Sequence, residues 1–216
     1  MPVPNPTPIY RLIHVDNLHV CLRRGGLHAP RYTPDDGLVY KTIHNVDIQT
    51  ERRDTYIPCG PRGVIHDYVP FYFGPRSPML YRLHTRWKTD CTEGQEPLIY
   101  LVSTAQQIQE SGASFVFSDG HGIARLTDWF GDLDKLDEVD WNTVYATRWK
   151  DDVADNDRQR RKQAEFLVYR FCDWRVIHEI GVFNDRMRRV VEDSMSRFSS
   201  DLQRVVRVKP DWYYYT

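Results

Sequence analysis

The stretch Gln163-Ala164-Glu165-Phe166-Leu167-Val168-Tyr169-Arg170 constrains this chain more than any other. A short apolar run with β-branched and aromatic members, Phe166 to Tyr169, predicts a buried strand. One carboxylate, Glu165, introduces it, and a long polar segment from Arg148 to Lys162 leads up to that carboxylate. The expected geometry is a single acid at the mouth of a buried strand, under a mobile loop. A lone Glu before a strand also fits a solvated strand end, so the rest of the chain has to decide between the two.

A chain of 216 residues can bury one sizeable core and is short for two, so a single domain over residues 1–216 is expected. The net charge of −1 excludes a uniformly basic nucleic-acid coat, and any such contact must come from local patches and stacking aromatics. Charge is segregated: Asp132, Asp134, Asp137, Glu138 and Asp140 form an acidic run, and Arg158, Arg160, Arg161 and Lys162 sit just before Glu165. Cys21, Cys59, Cys91 and Cys172 contain no close pair, so neither a zinc knuckle nor a redox dithiol is encoded and reduced thiols are expected. No segment approaches the ~20 apolar residues of a membrane span, and the Pro-rich start lacks the apolar core of a signal peptide. A cytoplasmic, membrane-free monomer without a bound metal is the expectation.

Along the chain, Ile9 to Val15 predicts a strand, and Asp16 or Asn17 can cap a helix carrying Leu18, Cys21 and Leu22 on one face. The turn between them, around His14, Asp16 and Asn17, serves either local capping or a ligand. Asn45 to Arg53 predicts a helical turn ending in Glu51-Arg52-Arg53-Asp54, an arginine pair whose plainest reading is a solvated face. Tyr68 to Phe73 is an aromatic strand that Gly74-Pro75-Arg76-Ser77-Pro78 interrupts and Met79-Leu80-Tyr81 resumes. Its proline predicts an edge or a bulge, with rings free to face a cleft. Leu98 to Val102 and Phe115 to Phe117 are further strands, with a helix capped by Ser103 between them. The turn Ser118-Asp119-Gly120-His121-Gly122 puts His121 where backbone can approach a ligand, or leaves it as a turn residue. Asn184 or Asp185 starts a helix with Met187, Val190 and Val191 on its apolar face, and Val205 to Val208 is the last strand.

No dinucleotide fingerprint, Walker loop, zinc motif or nucleophile elbow is present, and one carboxylate is poor material for two-acid glycoside hydrolysis. Over nearly its full length the chain resembles the DarT family of DNA ADP-ribosyltransferase toxins. The resemblance rests on Pro8-Ile9-Tyr10 with His14-Val15-Asp16-Asn17-Leu18, on Gly63 to Tyr81 (GVIHDYVPFYFGPRSPMLY), on Gln95-Glu96-Pro97, and on Lys162 to Tyr169 (KQAEFLVY). The aromatic segment is the specific one; the Asp-Asn-Leu turn alone is weak.

The resemblance implies an α+β class and a compact ADP-ribosyltransferase fold, a central, mostly antiparallel split β-sheet flanked by helices. It further implies NAD as a consumed donor, a base in single-stranded DNA as acceptor (thymine first, guanine second), and a macrodomain antitoxin that removes the modification. Cleavage of the nicotinamide bond develops positive charge on the ribose, which one carboxylate can stabilise. Glu165 matches the family's catalytic Glu. Arg52 matches a family Arg that holds NAD phosphate or polarises the acceptor base, with Arg53 its near neighbour. Tyr68, Tyr72, Met79 and His121 fall in segments that line the NAD and base pockets, where flat rings and a thioether suit stacking. The first turn, His14, Asp16, Asn17 and Leu18, belongs to the donor side. Related transferases often carry His after the first-strand Tyr; here that position is Arg11, so Arg11, His14 or backbone groups supply the contact. Arg53, Arg148, Arg158 and Arg160 are the expected DNA contacts. Two other readings stay open from sequence: a non-catalytic single-strand-binding module, and an ADP-ribosyltransferase acting on RNA or protein.

Overall fold

The computed structural model describes residues 1–43, 46–85 and 93–214. In chain order the elements are β1 (Pro8–His14), α1 (Leu18–Arg23), β2 (Gly26–His28), α2 (Val46–Asp54), β3 (Tyr68–Tyr72), α3 (Pro78–Thr85), β4 (Leu98–Thr104) and α4 (Ala105–Glu110). They continue as β5 (Phe115–Ser118), β6 (Trp129–Phe130), α5 (Trp141–Tyr145), α6 (Arg158–Arg161), β7 (Glu165–Tyr169), β8 (Phe171–Asp173), β9 (Glu179–Val182), α7 (Asp185–Ser196) and β10 (Val205–Val208).

The main sheet runs β10-β9-β4-β1-β3-β7-β5-β6, and β2 pairs with β8 apart from it. Every pairing is antiparallel except β10 with β9. β1 is laddered to β4 from Pro8↔Thr104 to His14↔Leu98, and β3 to β7 from Tyr68↔Tyr169 to Tyr72↔Glu165. Between β1 and β3 the register joins only Tyr10 with Tyr72. The sheet is therefore split at that line, and the split carries the expected class and topology.

Strand alternation decides which side chains face the cleft. Phe166 and Val168 enter the main core with Ile9, Ile13, Phe71, Phe73, Trp174 and Val191. Glu165, Leu167 and Tyr169 then point the other way. There Leu167 joins Ile57, Ile65, Tyr68 and Val116 in a small cluster of its own. A third cluster, Tyr10, Leu12, Leu98, Tyr100 and Tyr213, packs the opposite half of the sheet on the same terms. α7 covers the main core with Met187, Val191 and Met195, spaced four apart, and Asn184 caps it by accepting from the Met187 N–H at 2.9 Å.

Two expectations for the aromatic segment are corrected. Met79 to Tyr81 is not a resumed strand but part of α3: Ser77 Oγ accepts from the Leu80 N–H at 3.2 Å and Pro78 occupies the first helical position. That is a helix start of cap and proline. β3 is also not an edge strand. The Pro70 carbonyl accepts from Arg11 Nη1 at 3.1 Å, on the β1 side. In an antiparallel strand a residue's N–H and C=O share a side, so the missing N–H of Pro70 falls in the split, where no ladder bond is lost. Smaller shifts follow local bonding. α4 is capped by Thr104, which accepts from Gln107 N at 3.1 Å, while Ser103 is buried in β4 and donates to the Val176 carbonyl. α2 fulfils the helical turn, its expected first residue Asn45 lying outside the described residues. Cys21, Cys59 and Cys172 are free thiols; Cys91 lies outside the described residues.

Candidate active site

Glu165 opens β7 beside Tyr72 of β3, at the split, and its carboxylate is buried. α2 crosses that cleft face and delivers Arg52, also buried. Its Nη1 donates to Glu165 Oε1 at 2.8 Å and its Nη2 to Oε2 at 2.7 Å, a two-bond fork. The Gly122 N–H adds a third bond to Oε1 at 3.2 Å. Glycine at 122 eases this approach: a Cβ there would lie 2.9 Å from Ile65 Cδ1, 3.2 Å from Trp129 Cη2 and 3.4 Å from Glu165 Oε1. Ser118 Oγ accepts from the Glu165 backbone N–H at 3.2 Å and so fixes the strand end itself.

Burial pushes the Glu165 carboxyl up, but the Arg52 charge and hydrogen bonds, with His121 and the Gly122 N–H, outweigh it and hold it below the ordinary range. Glu165 is thus an anion in a dry site. The His121 imidazole is pushed down, first by burial and then by Arg52 and Arg82, against the pull of Glu165. His66 is lowered likewise by burial, Arg52 and Arg53. Burial raises the Tyr72 phenol to about 12, and it stays protonated.

The cavity over this pair measures about 350 Å³. Of the residues expected from sequence, Arg11, Arg52, Tyr68, Tyr72, Met79, His121 and Glu165 line it. Arg11 contributes to its lining where Nη1 donates to the Pro70 carbonyl; its buried Nε has no hydrogen-bond partner among the described residues. The first turn does not line it. His14 is buried between Asp16, whose N–H it accepts at 3.1 Å, and Glu93, with Lys41 bridging Asp16 and Glu93. Asn17 brackets the Lys41 backbone from both sides, and Leu18 is core. This cluster clasps residue 41 onto the end of β1.

Arg53, Arg148, Arg158 and Arg160 also lie outside the cavity lining. Arg53 and Arg148 are exposed. Arg160 is forked onto Asp157 at 2.7 and 2.8 Å and onto Asp119 at 2.9 Å; Arg158 pairs with Asp152 and Asp155. Arg161 closes the same network onto Asp155 and Asp140. The basic run before Glu165 is neutralised within the chain. Sequence reasoning passed over Gln49 and His66, hydrogen-bonded to each other at 3.1 Å, as well as Arg82, Gln159 and Gln163, all in the lining. Helical spacing could have found Gln49, which lies one turn before Arg52 on α2.

The family model described as "ssDNA thymidine ADP-ribosyltransferase, DarT" matches residues 10–214. A DNA ADP-ribosyl transferase of Thermus sp. (strain 2.9) is 40% identical over 211 residues, 98% of each chain. The structure of Thermus sp. 2.9 DarT in complex with ADP-ribosylated ssDNA superposes with a TM-score of 0.92 at 39% identity, over 99% of each chain. That of the same protein with NAD+ gives a TM-score of 0.88 at 38% identity, over 99% of this chain and 100% of that one. With a split sheet, a forked Glu165 and a family match spanning almost every residue, this chain belongs to the DarT family of single-stranded-DNA thymidine ADP-ribosyltransferases.

Proposed function

We propose that this chain transfers ADP-ribose from NAD to a thymine of single-stranded DNA, with Glu165 as the acid at the ribose and Arg52 as the group that holds it. The observation that carries the reading is the buried Arg52–Glu165 fork at the sheet split, aimed into a cavity of about 350 Å³. The cavity's residues fit such a donor. Tyr72 and Met79 offer flat and thioether surfaces for a ring, and Arg11 adds a guanidinium to the lining that suits an anionic oxygen. NAD supplies the labile glycosidic bond; the protein supplies the electrostatics. Glu165 Oε2 keeps a lone pair beyond its bond to Arg52, while Oε1 is filled by Arg52 and the Gly122 N–H, so the carboxylate can accept from a ribose hydroxyl and face the positive charge that develops there.

The same cavity is lined by Gln49, His66, His121, Gln159 and Gln163, which present amides and imidazoles of the kind that read base edges. A thymine nitrogen that forms the new bond must lose its proton. His121, kept neutral by burial, is the acceptor we assign to it. Support for the cellular role is of family kind: a toxin countered by a macrodomain antitoxin that removes the adduct, working as a cytoplasmic, single-domain monomer. No helix among the described residues is long and apolar enough to cross a membrane.

The test is the mass of a thymine-containing single-stranded oligonucleotide after incubation with protein and NAD. It gains one ADP-ribose with the wild type and not with Glu165→Gln. No gain, or equal labelling of duplex or RNA, overturns the reading, since a duplex base must first be unstacked at a cost of a few kcal/mol.

A further inference from the structure

We propose that the surface at the far end of β3 and β7 is a stacking platform for the single-stranded DNA that flanks the modified thymine. This rests on the transferase reading above and extends it beyond the cavity. Among the described residues, three non-glycine positions have a left-handed φ, and all three are arginines: Arg62 at 61°, Arg76 at 56° and Arg170 at 62°. Glycine or asparagine would adopt that conformation more cheaply, so an arginine kept there points to a use for its guanidinium.

Arg62 and Arg170 come together around Tyr68. The Tyr68 hydroxyl donates to the Arg62 carbonyl at 2.8 Å, and the Arg170 N–H donates to the Asp67 carbonyl at 2.8 Å. Arg170 is the single residue between β7 and β8, and its guanidinium carbon lies 4.8 Å from the Tyr32 ring centre and 4.9 Å from that of Tyr169. Tyr169 in turn packs on Tyr68 at 5.2 Å, and Tyr68 and Pro30 line the cavity. The ladder therefore runs without a break from the cavity wall to solvent, where Tyr32 is 37% exposed.

Its charge is positive. Arg31 contacts Asp67 at 3.2 Å, while Arg62 and Arg170 make no ion pair with a carboxylate among the described residues. The arginines of α6, by contrast, are each held by aspartates. Cationic groups interleaved with exposed rings are what a single strand without sequence preference needs, because every base has a face to stack. Tyr169 lies four residues beyond Glu165 on β7, about 13 Å at roughly 3.3 Å per residue. That is too far for the reacting base and within reach of its neighbours along the strand.

The experiment pairs Tyr32→Ala with Arg170→Gly, the second chosen because glycine relieves the left-handed backbone and keeps the hairpin. A labelled long oligothymidylate is titrated without NAD, and transfer is then measured on that oligonucleotide and on a trinucleotide. Expected is a loss of about tenfold in affinity and a matching rise in KM for the long strand, with trinucleotide kinetics at the wild-type level. Unchanged affinity for the long strand, or equal loss on both acceptors, overturns the platform. Because the titration contains no NAD, a wild type that binds the strand and modifies nothing sinks the transferase reading alone.

Discussion

Taking the charge off Glu165 leaves Arg52 buried without its counter-ion, and breaking such a pair from one side costs about 3–5 kcal/mol. Glu165→Gln should therefore lose stability as well as transfer, a coupling that follows from the fork and from the burial of both groups. Arg52→Ala is the more informative change. The carboxylate would keep the Gly122 N–H but lose both bonds that orient it, and its pKa would rise because its burial remains. Hydrolysis of NAD and transfer to DNA should then fall together, by about a hundredfold for a misplaced group, and Arg52→Lys should fall between, since it keeps charge without the fork. The two rates measured side by side decide it: wild-type hydrolysis with transfer lost would assign Arg52 to the acceptor base instead. His121 gives a second readout. Its neutral form takes the proton, and its pKa is depressed below 6.5, so protonation switches transfer off only on the acidic side of that value. A transfer-rate profile between about pH 5 and pH 8 should have the midpoint of its acidic limb below 6.5; a midpoint at 6.5 or higher would remove His121 from the role.

The Gly120-His121-Gly122 connection between β5 and β6 acts as an element because its backbone, not its side chains, completes the carboxylate's shell. Gly122→Ala brings a methyl within 2.9 Å of Ile65 Cδ1 and 3.2 Å of Trp129 Cη2; Ile65 can turn its terminal methyl aside, and the Trp129 ring then presses the loop off Glu165. A drop of about tenfold in transfer rate at near-constant KM for NAD is expected, the signature of one backbone donor withdrawn. Steady-state kinetics at varied NAD would show it, and an unaltered rate would mean that the loop donor is dispensable. This element also shows what sequence could carry. The glycines flag close approach, and the acid before an apolar run flags β7, because both signals are local. That Arg52 meets Glu165 is a contact across 113 positions, and only the packing of α2 over the split creates it. The Ser77-Pro78 helix start was legible but was outweighed by the aromatic run before it. Pro70 misled because edge and split offer a proline the same freedom.

At the scale of the molecule, the segment before β7 is bound into the fold rather than lying loose over the cleft. Arg158, Arg160 and Arg161 satisfy aspartates, and Lys162 goes further: its Nζ donates to the Val144 and Ala146 carbonyls at 2.6 and 3.0 Å, at the C-terminal end of α5. This ties the 141–146 wing to the approach to Glu165. Burial, helped by Arg76, pushes the Lys162 pKa from its ordinary 10.5 down to about 7. Between those two values the unfolded chain holds a proton that the folded chain has released. Stability must then rise with pH across that window, by at most about 1.4 kcal/mol per pH unit for one proton, and below it the full cost of burying the ammonium remains. Lys162→Met removes the titrating group along with its two donated bonds, while every other group titrates alike in both proteins. Urea unfolding of both at about pH 7, 8 and 9 should show the wild type gaining on the variant with each step. A stability difference that stays constant from pH 7 to 9 would mean that Lys162 keeps its proton in the folded chain and that the wing is held by an ordinary ammonium.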